Sequence, residues 1–576
     1  MYVARGFISS VGAGLHFGLG NNGLIDSLQV SWPGGKSQKL YKVAANQHLQ
    51  LSQKDAGNVI SKPEKASRPF FTDVTDELKI DFTHKKSTYI DFKQTAALHK
   101  MLSKSGFAIA IDDANQDGLD DFFAGASYQK GKPCIYFQQA SGAFIQREIA
   151  QDSLHENISA TFFDADGDKD QDLIVVNGGN EKPETDRAFY QVQLYLNDGS
   201  GDFKLAPTGN FPVISVSGSC VRANDFDKDG DTDLFIGGRM VPGKYPLPAR
   251  SYLLRNDSKS GKIVFTDITK SHCPELLSAG MVCAAMWADT DRDGLDDLVI
   301  AGEWMPVRVF KNQKVKFQET ESIKNSLAPY TGWWNSLAAG DFDRDGDLDF
   351  IAGNEGTNTY YRASEQEPVT MIAKDFNSDG TFDPLMGYFI QGVSYPSVPR
   401  DALNQQVIQF RRKYPYYIDY AKATFDDLLS ADEKKDAYSL KATFLQTAYI
   451  ENKGNGRFEV KALPVEAQVA PVFGIVVTDV NADHNPDVIL SGNFYPNEVN
   501  MGRQDASTGL LLLGNGKGSF SPQNPGKSGL LLKGDARSSA LLRGPKNRQL
   551  LLTALHSKGV AVHHITPQIP RGAALH

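Results

Sequence analysis

The chain has 576 residues, 69 acidic and 60 basic side chains and a formal net charge of −9. No basic stripe, zinc knuckle or RNA-binding phrase accompanies that acidic balance, which excludes a nucleic-acid partner. No run of eighteen apolar residues occurs, which excludes a membrane-spanning helix.

Residues 1–54 form a first segment of short strand-like phrases: Arg5-Gly-Phe-Ile-Ser-Ser10, Leu15-His-Phe-Gly-Leu-Gly20, Ile25-Asp-Ser-Leu-Gln-Val-Ser-Trp-Pro33 and Ala45-Asn-Gln-His-Leu49. Residues 55–68, rich in Lys, Pro and Ser, read as a linker. A lone strand, Phe70-Phe-Thr-Asp-Val74, then opens a long region over 69–566.

Seven times that region repeats one aspartate-rich phrase with oxygen side chains at positions 1, 3, 5 and 9. The candidate ligands are Asp113, Asn115, Asp117 and Asp121; Asp164, Asp166, Asp168 and Asp172; and Asp225, Asp227, Asp229 and Asp233. They continue with Asp289, Asp291, Asp293 and Asp297; Asp341, Asp343, Asp345 and Asp349; Asp375, Asn377, Asp379 and Asp383; and Asp479, Asn481, Asp483 and Asp487. A hard cation such as Ca²⁺ takes six to eight oxygens at about 2.3–2.6 Å, whereas Mg²⁺ keeps more waters, so the pattern predicts several structural calcium sites. Alternate residues of a tight loop can turn inward if the chain reverses after the fifth, and Gly at position 6 permits the positive φ this needs. Lys169 and His484 replace that Gly, so the loops at Asp164 and Asp479 are expected to hold metal most weakly.

An EF-hand is excluded. It needs Glu at position 12, where these loops carry Ala124, Val175, Ile236, Ile300, Ala352, Met386 and Leu490. Short apolar runs such as Leu173–Val176 and Leu298–Ala301 flank the loops, and they read as buried strands. A second phrase follows most loops, a strand, a Gly/Asn turn and a strand opening on Phe, as in Leu194–Phe203 and Tyr449–Phe458. The first five loops are spaced by 51, 61, 64 and 52 residues. Four-stranded units at such a period predict an all-β fold, a β-propeller of seven or eight four-stranded blades. Eight units are counted, the last without ligands (Ser539–Leu542, Gln549–Thr553, Gly559–His563), and the short gap between Asp341 and Asp375 leaves seven blades with one elaborated as the alternative. The lone strand at Phe70 is expected to complete the last blade.

The loop-plus-strand phrase resembles the FG-GAP (or VCBS) repeat of integrin α-chain propellers and secreted bacterial proteins. Residues 1–54 resemble the ASPIC/UnbV domain, entered partway. That implies a piece of a longer chain, with any signal peptide upstream. Residues 399–441 break the blade rhythm with a helical pattern, Val407, Phe410 and Tyr414 at i, i+3 and i+7, and with the capping-box phrase Ser430-Ala-Asp-Glu433. Such an insertion reads as a buttress, a lid or an interface, and its tyrosines (Tyr414, Tyr416, Tyr417, Tyr420) favour partner contact. Residues 567–576 form a tail. Cys134, Cys220, Cys273 and Cys283 show no metal-ligand spacing, though Cys273 and Cys283 could pair.

No His-Glu-x-x-His, phosphate loop or Gly-x-Ser-x-Gly elbow occurs, so no catalytic or cofactor-binding residue is assigned. Extracellular calcium modules bind at roughly 10⁻⁴–10⁻³ M, a range filled outside cells. The sequence therefore predicts an extracellular or cell-envelope, non-enzymatic binding scaffold for a protein or polysaccharide. The alternative is a lyase-like polysaccharide enzyme in the central depression.

Overall fold

The computed structural model describes residues 4–6, 9–10, 14–32, 36–58, 68–149, 154–207, 209, 211–259 and 261–567. It divides into two compact units, Met1–Arg68 and Pro69–His576. In the first, Leu24–Ser31 and Lys36–Ala44 pair antiparallel, with Gly57–Asn58 added at the edge. Ile25, Leu28 and Val30 supply the half-buried positions of the first strand.

The second unit is built from eight antiparallel sheets, matching the eight repeat units of the sequence. Seven of them form a ring. Their first strands are Ile109–Asp112, Asn157–Phe163, Gly218–Asn224, Met281–Ala288, Ser336–Gly340, Val472–Thr478 and Asp535–Gly544, each packed beside the next and the last beside the first. Within blade 3, Gly218–Asn224, Asp233–Gly238, Tyr252–Asn256 and Phe265–Asp267 follow one another outward. Both faces of such a blade are covered by neighbours, so the second strand is buried at all six residues (Asp-Leu-Phe-Ile-Gly-Gly) and reads as continuous apolar sequence rather than alternation.

The hydrophobic core is accordingly distributed between blades. Phe163, Ile174 and Val176 meet Val221, Leu234 and Ile236 between blades 2 and 3. Equivalent clusters fill the other six junctions. A fully buried Leu, Ile or Phe adds roughly 1.5–3 kcal/mol, so the ring is held by its junctions. The seventh blade closes it as the sequence predicts. Phe71–Asp73 pairs with Val560–Ile565, and Phe71 is buried against Val476, Leu511 and Ile565.

The eighth sheet lies outside the ring. It is inserted between the second and third strands of blade 5, Asp349–Gly353 and Ala448–Asn452, which pair directly with each other. Its order is Val393–Pro396, Asp383–Ile390, Val369–Lys374, Tyr438–Ala442. Met371, Met386 and Ala442 pack with Leu98, Leu102, Met240, Trp304 and Trp333, so the insert buttresses the ring, while Leu385, Val398 and Leu403 belong to a core of its own. The helical pattern resolves into short helices, Arg400–Gln406, Phe410–Lys413, Tyr417–Ala421 and Ala431–Lys434, and Ser430 and Glu433 form the capping box. A helix break at Val407 still leaves Val407, Phe410 and Tyr414 together around Leu385. Tyr414 is buried and Tyr420 half-buried, their hydroxyls donating to Asp427 O and Val398 O, whereas Tyr416 and Tyr417 are exposed. All four cysteines are free thiols, so Cys273 and Cys283 do not pair.

Candidate metal-binding loops

The seven acidic phrases are the hairpin loops between first and second strands, and all fold back on themselves alike. In the third, Asp225 accepts the N–H of Asp229 at 3.1 Å and of Gly230 at 3.2 Å. Asp227 accepts from Asp229 (3.3 Å) and Asp229 from Asp231 (3.2 Å). The loop's own amides thus gather the carboxylates of positions 1, 3 and 5 on one side. Elsewhere the first residue again accepts from the sixth: Asp113 from Gly118, Asp164 from Lys169, Asp289 from Gly294, Asp341 from Gly346, Asp375 from Gly380 and Asp479 from His484, at 2.7–3.1 Å. Asn115, Asp166, Asp343, Asn377 and Asn481 take the fifth residue's N–H. Asp117, Asp168, Asp293, Asp345, Asp379 and Asp483 take the seventh's.

Position 6 has positive φ as expected, including Lys169 at 76° and His484 at 67°. Position 4 is left-handed as well, which the sequence did not signal, because Gln116, Lys228, Arg292, Arg344, Ser378 and Ala482 stand there at φ 58–63° and only Gly167 is a glycine. That conformation aims the fourth side chain at the next loop of the ring. Gln116 donates to Lys169 O, Arg292 to Asp345 O, and Arg344 passes the inserted sheet to reach His484 O at 2.6 Å.

The ninth position is the structural keystone. Asp121, Asp172, Asp233, Asp297, Asp349, Asp383 and Asp487 are each at most 1 % exposed. One oxygen accepts the N–H of the loop's second residue. In the ring blades the other accepts a backbone N–H from the third strand, that of Gln138, Asn197, Asn256, Asn312, Asn452 or Gly514. In the inserted sheet the Gln406 side chain replaces it. The asparagines then staple each blade to the one before: Asn197 Nδ2 donates to Ala114 O, Asn312 Nδ2 to Phe226 O and Asn452 Nδ2 to Thr290 O, at 2.7–2.8 Å.

Crowded carboxylates resist ionisation. Burial pushes Asp121, Asp172 and Asp349 up to about 7, Asp233 to about 8, and Asp383 and Asp487 to about 6, with neighbouring loop aspartates adding to the rise. In four loops three carboxylates offer oxygens within 4.8 Å of one another: Asp164, Asp166 and Asp172; Asp225, Asp227 and Asp229; Asp289, Asp291 and Asp293; Asp341, Asp343 and Asp349. The loops at Asp113, Asp375 and Asp479 carry Asn at position 3 instead. Such clusters of hard oxygens fit a divalent cation, which would relieve the repulsion that raises these groups.

Two charged neighbours escaped the sequence reading because they sit on third strands, far along the chain from the loop they touch. Lys311 Nζ reaches Asp291 and Asp297. Glu451 lies beside Asp343, raising its carboxyl after burial, while Lys453 and Lys461 pair with Glu451.

A concavity of about 260 Å³ is lined by the inner strands together with Lys100, Arg222, Arg239, Cys283, Glu303 and Arg537. Burial would raise the Glu303 carboxyl, but Arg239 at 2.8 Å and Lys100 at 2.7 Å hold it well below the usual carboxylate range. Burial also pushes the Cys283 thiol up to about 12.

The family model for ASPIC and UnbV matches residues 1–58, and that for the FG-GAP-like repeat matches 164–236 and 289–352. Integrin alpha-V of Gallus gallus is 25% identical over 140 residues, and that match spans 23% of this chain but only 13% of the integrin's length. Among solved structures, BBS1N in complex with ARL6DN is similar at a TM-score of 0.39 and 10% identity, covering 88% of this chain and 100% of that one. The V. cholerae biofilm matrix protein Bap1 gives 0.35 and 9%, covering 86% and 91%, and the Dos1 propeller 0.35 and 11%, covering 82% and 95%. The seven-bladed ring itself rests on the sheet order and the seven inter-blade cores.

Proposed function

From a chain that carries FG-GAP-like repeats behind an ASPIC/UnbV domain, we propose a calcium-stabilised scaffold of the cell surface or cell envelope that binds a protein or glycan partner. The observation that carries this reading is the belt of acidic loops, folded alike and tied from blade to blade. In a loop that holds calcium the ligands are positions 1, 3, 5 and 9, Asp225, Asp227, Asp229 and Asp233 in the third, with water completing the shell. Calcium bound there cross-links the first and second strands of a blade and neutralises the repulsion among its carboxylates. Outside cells, where calcium is millimolar, such sites stay filled. Among the described residues no helix is long and apolar enough to cross a membrane.

The central cavity supports a binding role over a catalytic one. A general acid or base needs a pKa near the working pH, whereas the Glu303 carboxyl is pinned as an anion between two cations and the Cys283 thiol is held protonated. The 576-residue chain in millimolar calcium, screened against glycans and incubated with a polysaccharide panel, tests the reading. Calcium-dependent retention of a ligand without product supports it, and unsaturated or shortened sugar products would replace it with the lyase-like alternative.

A further inference from the structure

We propose that the fourth loop, Asp289–Asp297, is closed by the ammonium group of Lys311 and takes no calcium. The inference rests on the reading of the other loops as calcium sites. Lys311 Nζ lies 2.5 Å from Asp291 Oδ2 and 2.7 Å from Asp297 Oδ2, with Thr290 Oγ1 at 3.3 Å. Asp291 and Asp297 are positions 3 and 9, the same two that carry Asp343 and Asp349 in the three-carboxylate cluster of the fifth loop. The ammonium thus stands 2.5 and 2.7 Å from the two carboxylates, within about 0.1 Å of the range at which calcium binds carboxylate oxygen, about 2.3–2.6 Å. An ion bonded to both carboxylates would need the space the ammonium already fills, and like charges at that range repel.

The lysine is held in place. Its side chain is only 11% exposed, and its strand, Arg308–Gln313, is fixed by the Asn312 N–H bonded to Asp297 Oδ1 at 2.8 Å. A buried cation is retained only with its counter-charges, and the loop supplies two. The corresponding residues of other ring blades do not act this way. Phe137, Leu196 and Leu513 carry no charge, Arg255 turns its guanidinium to Asp257 at 2.9 Å, and Glu451 is an anion. One strand position thus sets the character of each loop, and the fourth blade keeps its loop closed without metal.

The test counts calcium bound per 576-residue chain by native mass spectrometry at saturating calcium, for the wild type, K311M, Asp293→Asn and Asp345→Asn. Lys311→Met removes the ammonium and keeps the stem, so that variant should bind one ion more than the wild type. Asp293→Asn should leave the wild-type count unchanged, whereas Asp345→Asn, at the same position of the fifth loop, should lower it by one. If K311M fails to fold, the two aspartate variants still decide. An ion lost in Asp293→Asn, or an unchanged count in folded K311M, overturns the role of Lys311. A wild-type chain that binds no calcium at all overturns the reading of the loops instead.

Discussion

Replacing Asp233 by alanine separates the two jobs that a loop carboxylate performs. Asp233 is 0% exposed and accepts two backbone amides, Phe226 N–H at 3.2 Å and Asn256 N–H at 2.8 Å. Phe226 and Asn256, which carry the two donors, are themselves buried. A buried donor left unsatisfied costs about 1–3 kcal/mol, so Asp233→Ala should cost about 2–6 kcal/mol even with chelator present. Asp229 in the same loop is exposed, and water can replace it as the acceptor of the Asp231 N–H. Asp229→Ala should therefore cost under about 1 kcal/mol in chelator and show its main loss only in calcium. Urea unfolding of both variants, with calcium and with excess chelator, reads the four values. Equal losses for the two variants in chelator would refute the keystone role of position nine.

Three more outcomes follow from the same geometry. Lys169 sits at φ 76°, a left-handed conformation costing a side chain about 1–2 kcal/mol, so Lys169→Gly should raise the urea midpoint and tighten calcium at the second loop; a lowered midpoint contradicts this. A Cβ on Gly238 would stand 2.1 Å from the Arg250 carbonyl oxygen. Backbone cannot yield there, so Gly238→Ala should cost about 3 kcal/mol or more, and a variant with unchanged stability would show the close approach to be wrong. Burial lifts the ninth-position carboxylates from the ordinary 3.8 to about 7 or 8 in Asp121, Asp172, Asp349 and Asp233, so the metal-free folded chain binds more protons than the unfolded one across that window. Its stability should fall as pH rises from about 6.5 to about 8.5, and calcium should abolish the fall. Buried His84 and His99, pushed down to about 3 chiefly by burial, act oppositely only below their ordinary 6.5, which fixes the useful window above it. Urea midpoints that rise with pH in chelator would contradict the shift.

Local chemistry was the legible part of this chain. The loop phrase, its flanking strands and the return of Phe71 to the last blade are written in contiguous residues, and each stands where it was expected. Ring membership is different. The phrase at Asp375 reads like its siblings, and only its short gap from Asp341 marks it out, the signal for seven blades with one elaborated; its hairpin lies outside the ring because Asp349–Gly353 pairs with Ala448–Asn452 across the insertion, a contact no local pattern records. Residues 399–441 likewise read as helical, but Tyr438–Ala442 is drawn into the inserted sheet by pairing with Val369–Lys374. The left-handed fourth position escaped notice because Arg292 and Arg344 occupy it without glycine, their strain offset by bonds to the next loop. Lys311 lies 14 residues from Asp297 in sequence, and only the hairpin brings it back.

Thermal unfolding of the 576-residue chain in millimolar calcium and again in excess chelator shows whether bound calcium holds the ring. A ligand that binds only the folded state adds about 2.7 kcal/mol per site at a hundredfold excess over its Kd, and several loops act together. Tm should drop sharply on chelation and be restored by calcium and not by magnesium at equal concentration. An identical Tm in both conditions would contradict it.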